Sequence, residues 1–253
     1  IIISSASTEE FVKHEVLNWQ QFDRDQIKTI LLESGNWPFI HQRPYGTLAN
    51  PSDTPNAIFV STHRTSPLSP DFDFILKEET TSFQDGIEVL NKLVDQKVFL
   101  GTDASFPGIF QNIKEVQHYS ISGPHPAGNL SIHIQELAPL NMGDRVWTVN
   151  PEDVVNIGRF FKSGKFSPKR TIAVTGNAIE QARYVRTKIG AEIHPILKDF
   201  NPVSSQYRII NGDVLTGTAV SEQAHLGYYN NQITIIPEGN KFRMFGWLPF
   251  KDN

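Results

Sequence analysis

Apolar residues recur along this chain with two different spacings, and the alternation between them sets the expected architecture. Ile27, Ile30 and Leu31 lie on one face of a helix opened by Asp23, where Gln26 three residues later completes a capping-box signature and Gly35 can serve as the stop. Ala57 to Ser61 is a continuous apolar run of strand length. A proline-rich connection over Thr65 to Pro70 leads to a second helix from Ser82 to about Asp95, with Ile87, Leu90 and Val94 on one face, and Val98-Phe99-Leu100 returns as a strand. Val146 to Val149 then feeds a helix with Asn150 as its cap, Pro151 at its first position, Glu152 and Asp153 in its first turn and Gly164 as terminator. Strands separated by helices of this length predict an α/β, Rossmann-like doubly wound sheet over residues 1–164.

Beyond Gly164 the pattern changes to short strands with turn signals between them. Thr171 to Val174, Tyr207 to Ile210 and Ile233 to Ile236 read as strands, Gly176-Asn177 and Asn211-Gly212 as turns, and only one short helix, around Ala191 to Leu197, fits among them. The expectation for residues 165–253 is a small β-grasp domain.

Composition removes several classes of function. A formal net charge of −4, with no block of five like charges, argues against a nucleic-acid partner. Cysteine is absent from the sequence, which excludes disulfides, thiolate nucleophiles and cysteine-ligated iron–sulfur clusters within it. The longest apolar runs fall far short of the roughly 20 residues that cross a bilayer, so direct membrane insertion is not expected. The opening Ile1-Ile2-Ile3 reads as a strand already under way, and the chain is expected to be an excised piece of a longer protein.

The densest chemical signal is Ser122-Gly123-Pro124-His125-Pro126-Ala127-Gly128, running on to His133. Two prolines fix φ around a histidine and two glycines permit angles closed to other residues, so the loop is stiff and shaped. Gly123 and Gly128 have P-loop spacing, but Asn129-Leu130 follows where lysine and serine or threonine are required. No glycine triplet of dinucleotide-binding spacing follows a strand, and there is no nucleophile elbow. His118, His125 and His133 form the best titratable cluster. It lacks a carboxylate at metal-ligand spacing, which leaves loop hydrogen bonding as the plain reading and contact with a ligand head group through His125 as the sharper one.

That loop and the segment Trp147 to Phe161 together resemble the A-subunit family of the bacterial Na+-translocating NADH:quinone oxidoreductase. Thinner matches are Gln42 to Gly46, Ala57 to Ser61, Arg183 to Thr187, Gly212 to Gly217 and His225 to Gln232. The family implies a peripheral subunit on the cytoplasmic face of the bacterial inner membrane, attached chiefly to the membrane-embedded B subunit. Flavins and iron–sulfur centres belong to partner subunits in such a complex, and ubiquinone is the electron acceptor. On this resemblance the chain itself carries no cofactor, no metal and no catalytic residue, and serves as scaffold or quinone-site neighbour. Gly123, Pro124, His125, Gly128 and His133 are the candidate quinone-proximal residues.

In related flavin-binding subunits of respiratory complex I and the Rnf complex, a glycine-rich loop after the first helix covers the flavin phosphate. Here that position reads Asn36-Trp37-Pro38-Phe39-Ile40-His41-Gln42-Arg43-Pro44, where bulky side chains and two prolines replace an amide cradle. Trp37, Phe39 and Tyr45 in this region, and Trp247 in Phe245 to Phe250, are candidate docking residues for the B subunit. Asp213 to Ala219 is similar to a covalent-flavin signature of sister subunits, but Ala219 has no hydroxyl to accept the flavin. Two other functions remain open: a self-standing flavin- or nucleotide-binding oxidoreductase, and a ligand-binding module acting through the β-grasp domain.

Overall fold

The computed structural model describes residues 12, 14, 15, 18–203 and 206–239. The chain forms two compact units, Ile1–Arg170 and Thr171–Asn253.

In the first unit, α1 (Arg24–Glu33) is held at its start by both halves of the expected capping box. The Asp23 carboxylate accepts from Gln26 N–H at 2.9 Å, and the Gln26 side chain accepts from Asp23 N–H at 3.0 Å. Ile27 and Leu31 are fully buried. Gly35 then takes φ +76°, the left-handed angle that reverses the chain after a helix.

The six strands of this unit are β1 (Ile40–Arg43), β2 (Thr47–Leu48), β3 (Ala57–Ser61), β4 (Val98–Asp103), β5 (Val116–Ile121) and β6 (Val146–Val149), in the sheet order β2-β1-β6-β3-β4-β5. Strands β6, β3, β4 and β5 run parallel, while β1 pairs antiparallel with β6, Ile40 opposite Val149. All residues of β3 are buried, as expected of a central parallel strand covered on both faces.

Helices cover the sheet on its two sides. On one, Leu130 and Ile134 of α4 (Leu130–Leu137) pack with Ala57, Phe59 and Phe99, and the Phe59 and Phe99 rings stack with centroids 4.6 Å apart. Residues Ile58 and Val60, of opposite parity in β3, face the other side. The remaining helices are α2 (Phe72–Leu76), α3 (Thr80–Asn91) and α5 (Pro151–Ser163), of which α3 and α5 cross in close contact. Asn150 caps α5 by accepting from Glu152 N–H at 3.1 Å, and Gly164 ends it at φ +68°. This is the doubly wound α/β sheet that the periodicity predicts.

One segment departs from expectation. Asn36 to Pro44 reads as a loop filled by bulky side chains and two prolines, but Ile40–Arg43 within it is a strand, paired on both sides by β2 and β6. Its amides are committed to the sheet and form no phosphate cradle.

The second unit takes in all but the first two residues of β7 (Lys169–Thr175), with β8 (Arg183–Lys188), α6 (Ile193–Leu197), β9 (Tyr207–Asn211), β10 (Thr218–Val220) and β11 (Gln232–Pro237). The sheet order is β10-β9-β11-β7-β8, so the first and last strands are central neighbours, and they run parallel. Ile193 and Ile196 of α6 pack on Ile172, Val174, Ile209 and Ile233 of the sheet. A hairpin, a crossing helix and a returning central strand in this order make a β-grasp fold.

Candidate functional site

The carboxyl ends of β3, β4 and β5 bring together residues from widely separated parts of the first unit. In open α/β sheets, ligands are received outside these ends. β5 ends at Ile121 and α4 begins after Asn129, so Ser122 to Gly128 connects strand to helix as expected. Ala127 N–H donates to Pro124 O at 2.9 Å and Asn129 N–H to Pro126 O at 2.8 Å, folding the loop into consecutive turns. Gly123 stands at φ +108°. A Cβ on Gly128 would lie 2.7 Å from Thr65 N, so only glycine lets the loop approach the segment after β3 this closely.

His125 is exposed. Its Nδ1 lies 3.2 Å from Thr65 Oγ1, which in turn accepts from Gly128 N–H at 2.9 Å. The Thr65 hydroxyl thus links the Gly128 amide to the His125 ring.

His133 is buried, and both of its nitrogens are engaged. Nε2 lies 2.7 Å from Ala127 O, and Nδ1 lies 2.9 Å from Tyr119 Oη. A carbonyl only accepts, so Nε2 carries the proton and Nδ1 accepts from the tyrosine hydroxyl. Burial lowers the His133 pKa, outweighing the Ala127 carbonyl and Glu136, which favour the cation, while nearby His63 lowers it further. Burial also raises the Tyr119 pKa, against the pull of the Ser61 hydroxyl. Gly101 makes room for this tyrosine, since a Cβ there would lie 2.4 Å from Tyr119 Cζ. His118 lies apart from the cluster, its Nε2 2.9 Å from Ile113 O near the opposite end of β5.

A further pair stands at the ends of β3 and β4. His63 Nδ1 is 3.4 Å from Asp103 Oδ2, and Asp103 Oδ1 is fixed by accepting from Ser105 N–H at 2.7 Å. The sequence pattern does not single out either residue, because they lie 40 positions apart. The available signal is position: each is a polar residue at, or two beyond, the end of an apolar strand.

The amino end of α5 is arranged against binding an anion. Pro151 offers no N–H, and Glu152 and Asp153 are buried there, Asp153 2.9 Å and Glu152 3.6 Å from the Arg170 guanidinium. Burial pushes the Asp153 carboxyl up, with Arg170, Arg64 and Asn156 acting in the other direction.

The candidate docking residues separate sharply. Trp37 and Phe39 are 4% and 0% exposed. The Trp37 indole N–H donates to Ala49 O at 2.8 Å and its ring meets Trp147 edge-on, while Phe39 stacks on Phe166. As anchors they are corrected to core, because neither presents side-chain surface to a partner. Tyr45 is 81% exposed and remains available. Trp247 and the rest of Phe245 to Phe250 lie outside the described residues. Among the described residues no helix is long and apolar enough to cross a membrane, and no three metal-ligating side chains converge.

Residues 22–166 match the family described as the NqrA second alpha/beta domain, and residues 171–222 match the NQRA C-terminal domain. The chain belongs to the NqrA family. The Na(+)-translocating NADH-quinone reductase A subunit of Neisseria meningitidis serogroup B is 34% identical over 226 residues, which cover 88% of this chain and 50% of that protein. The protein of the same name from Vibrio vulnificus is 34% identical over 251 residues, 98% of this chain and 56% of its own length. The chain thus spans about half the length of the NqrA relatives it matches. An NAD+-reducing NiFe hydrogenase in the air-oxidised state superposes with a TM-score of 0.57 at 12% identity, covering 91% of this chain and 52% of the other, a likeness of fold alone.

Proposed function

We propose that this chain is part of the NqrA protein of a sodium-pumping NADH:quinone reductase, where it supplies surfaces rather than a redox group. In this reading it sits on the cytoplasmic face of the bacterial inner membrane, held by protein contacts of which the membrane-embedded B subunit makes the most. Gly123, Pro124, His125, Gly128 and His133 then form a quinone-proximal wall. The observation that supports this best is the double anchoring of that loop, by His133 to Ala127 O and by Thr65 to Gly128, at the ligand-receiving end of a parallel sheet. Core placement of Trp37 and the sheet pairing of Ile40–Arg43 favour a scaffold, because the amides that would hold a flavin phosphate are used elsewhere.

The test uses full-length NqrA assembled with its partners. His125→Asn and Gly128→Ala should weaken quinone binding, seen as a raised KM for quinone, with NADH oxidation by a soluble acceptor retained. Unchanged quinone kinetics in both variants would remove the loop from the quinone site. Stoichiometric flavin absorption in isolated NqrA would overturn the scaffold reading.

A second reading has one specific observation behind it. The β-grasp unit has a half-open cavity of about 230 Å³ lined by Ile179, Phe200 and Ile235, with Tyr207 donating to Glu222 among its lining residues. Apolar side chains with a few polar groups among them suit a small ligand, although the volume is below the roughly 300–1,000 Å³ of typical ligand pockets.

A further inference from the structure

We propose that His63 is the side chain that meets a quinone oxygen at this site, with Asp103 as its positioning residue. The inference rests on the reading of the loop at residues 122–128 as quinone-proximal and adds a contact residue from another part of the chain.

The histidines near the site differ in which ring nitrogens they leave open. His133 has both nitrogens committed and is buried, so it holds the loop and is closed to a ligand. His118 is bonded to backbone away from the site. His63 is half-buried, and its Nδ1 faces the Asp103 carboxylate, itself locked by Ser105 N–H. The Asp103 carboxylate, 3.4 Å from Nδ1, favours the proton on that atom and leaves Nε2 for a ligand. In that tautomer Nε2 accepts from a quinol hydroxyl.

Position points the same way. His63 lies two residues beyond β3 and Asp103 ends the adjacent parallel β4, at carboxyl ends that open onto the ligand-receiving side of the sheet. The loops that continue from these two strands expose large apolar side chains, Leu68 at 57% and Phe106 at 68%. A polar pair whose adjoining loops expose apolar side chains suits an amphipathic ring compound.

The decisive experiment places His63→Gln, Asp103→Asn and Asp103→Glu in full-length NqrA within the assembled reductase. KM and kcat are measured with a short-chain, water-soluble ubiquinone, and NADH oxidation is measured with ferricyanide. His63→Gln should change quinone KM or kcat roughly tenfold or more, as expected for one lost hydrogen bond to an ionisable group. Asp103→Asn should give a smaller change that Asp103→Glu partly restores, and the ferricyanide rate should hold within about twofold. Quinone kinetics within about twofold of the unaltered complex for His63→Gln would overturn the proposal, as would an equal loss of the ferricyanide rate, which marks general disruption. If His125→Asn and Gly128→Ala shift quinone KM while His63→Gln does not, the loop reading stands and this one falls. If none of the variants acts, both fall.

Discussion

Gly86 of α3 and Val154 of α5 sit as close as two helices can come. A Cβ on Gly86 would lie 2.1 Å from the Val154 carbonyl oxygen, and across the same crossing a Cβ on Gly158 would lie 1.9 Å from Ser82 O. The obstacle in both cases is backbone, which cannot rotate away as a side chain can. The isoleucine–glycine step in the helix that carries the family resemblance is therefore a packing requirement. Gly86→Ala should destabilise the protein by about 1–3 kcal/mol or more despite alanine's better helix propensity. Urea unfolding midpoints measure this, and Gly86→Ala combined with Gly158→Ala should cost less than the sum of the two, because either one already separates the helices. A neutral or stabilising Gly86→Ala would show the crossing to be looser than described.

His125 and His133 occupy one loop but differ in burial, so substitutions should separate them. His125 is exposed with one hydrogen bond to Thr65, and His125→Asn should change stability by about 1 kcal/mol or less. His133→Leu strands the Ala127 carbonyl and the Tyr119 hydroxyl together, and should cost about 1–3 kcal/mol or more. Thermal or urea unfolding of both variants checks the ranking. A larger loss for His125→Asn would reverse the assignment of His133 as the structural histidine.

How much of this is legible in the sequence follows from whether the signal is local. Asp23 with Gln26, Asn150 with Pro151, and Gly164 act within a few residues, and the helices they delimit are found where the pattern puts them. Strands β3, β4 and β11 are apolar enough to be seen. Ile40–Arg43 escapes detection because Pro38 and Pro44 bracket four residues with no alternating pattern, and only pairing with Val146–Val149 makes them a strand. Arg183–Lys188 is an edge strand carrying charges, so its sequence has no apolar alternation to read. At the site, the loop around His125 is visible because its prolines and glycines are contiguous. The His63–Asp103 pair needs the parallel register of β3 and β4 to bring it together.

His133 should also leave a mark on the pH dependence of stability. Its pKa is lowered in the fold from 6.5, so the unfolded chain binds the proton more readily. Its contribution is therefore fully present above about pH 6.5 and is lost as pH falls through that value toward the folded pKa. His41 is lowered too, by burial and by Arg43, and adds in the same direction. His133→Gln cannot titrate, so the stability difference between the unaltered protein and this variant should shrink on acidification from pH 7 to pH 5. A difference that stays constant across that range would mean that His133 titrates alike in the folded and unfolded chain.

Arg170 offers the most severe single test of the buried electrostatics. Its side chain is almost fully buried beside the equally buried Glu152 and Asp153. Removing the guanidinium as Arg170→Met leaves two carboxylates in a low-dielectric setting with their principal counter-charge gone. The expected loss at neutral pH is about 3–5 kcal/mol, the range for breaking one side of a buried ion pair. Burial already pushes the Asp153 carboxyl up, and without Arg170 it should rise further, so protonation relieves the variant as pH falls. The gap between Arg170→Met and the unaltered protein should accordingly narrow between pH 7 and pH 4. Adding Asp153→Asn should recover part of the loss at pH 7, because one uncompensated charge is removed while the side-chain volume is kept. A penalty independent of pH and not relieved by Asp153→Asn would assign the cost of Arg170→Met to packing rather than to buried charge.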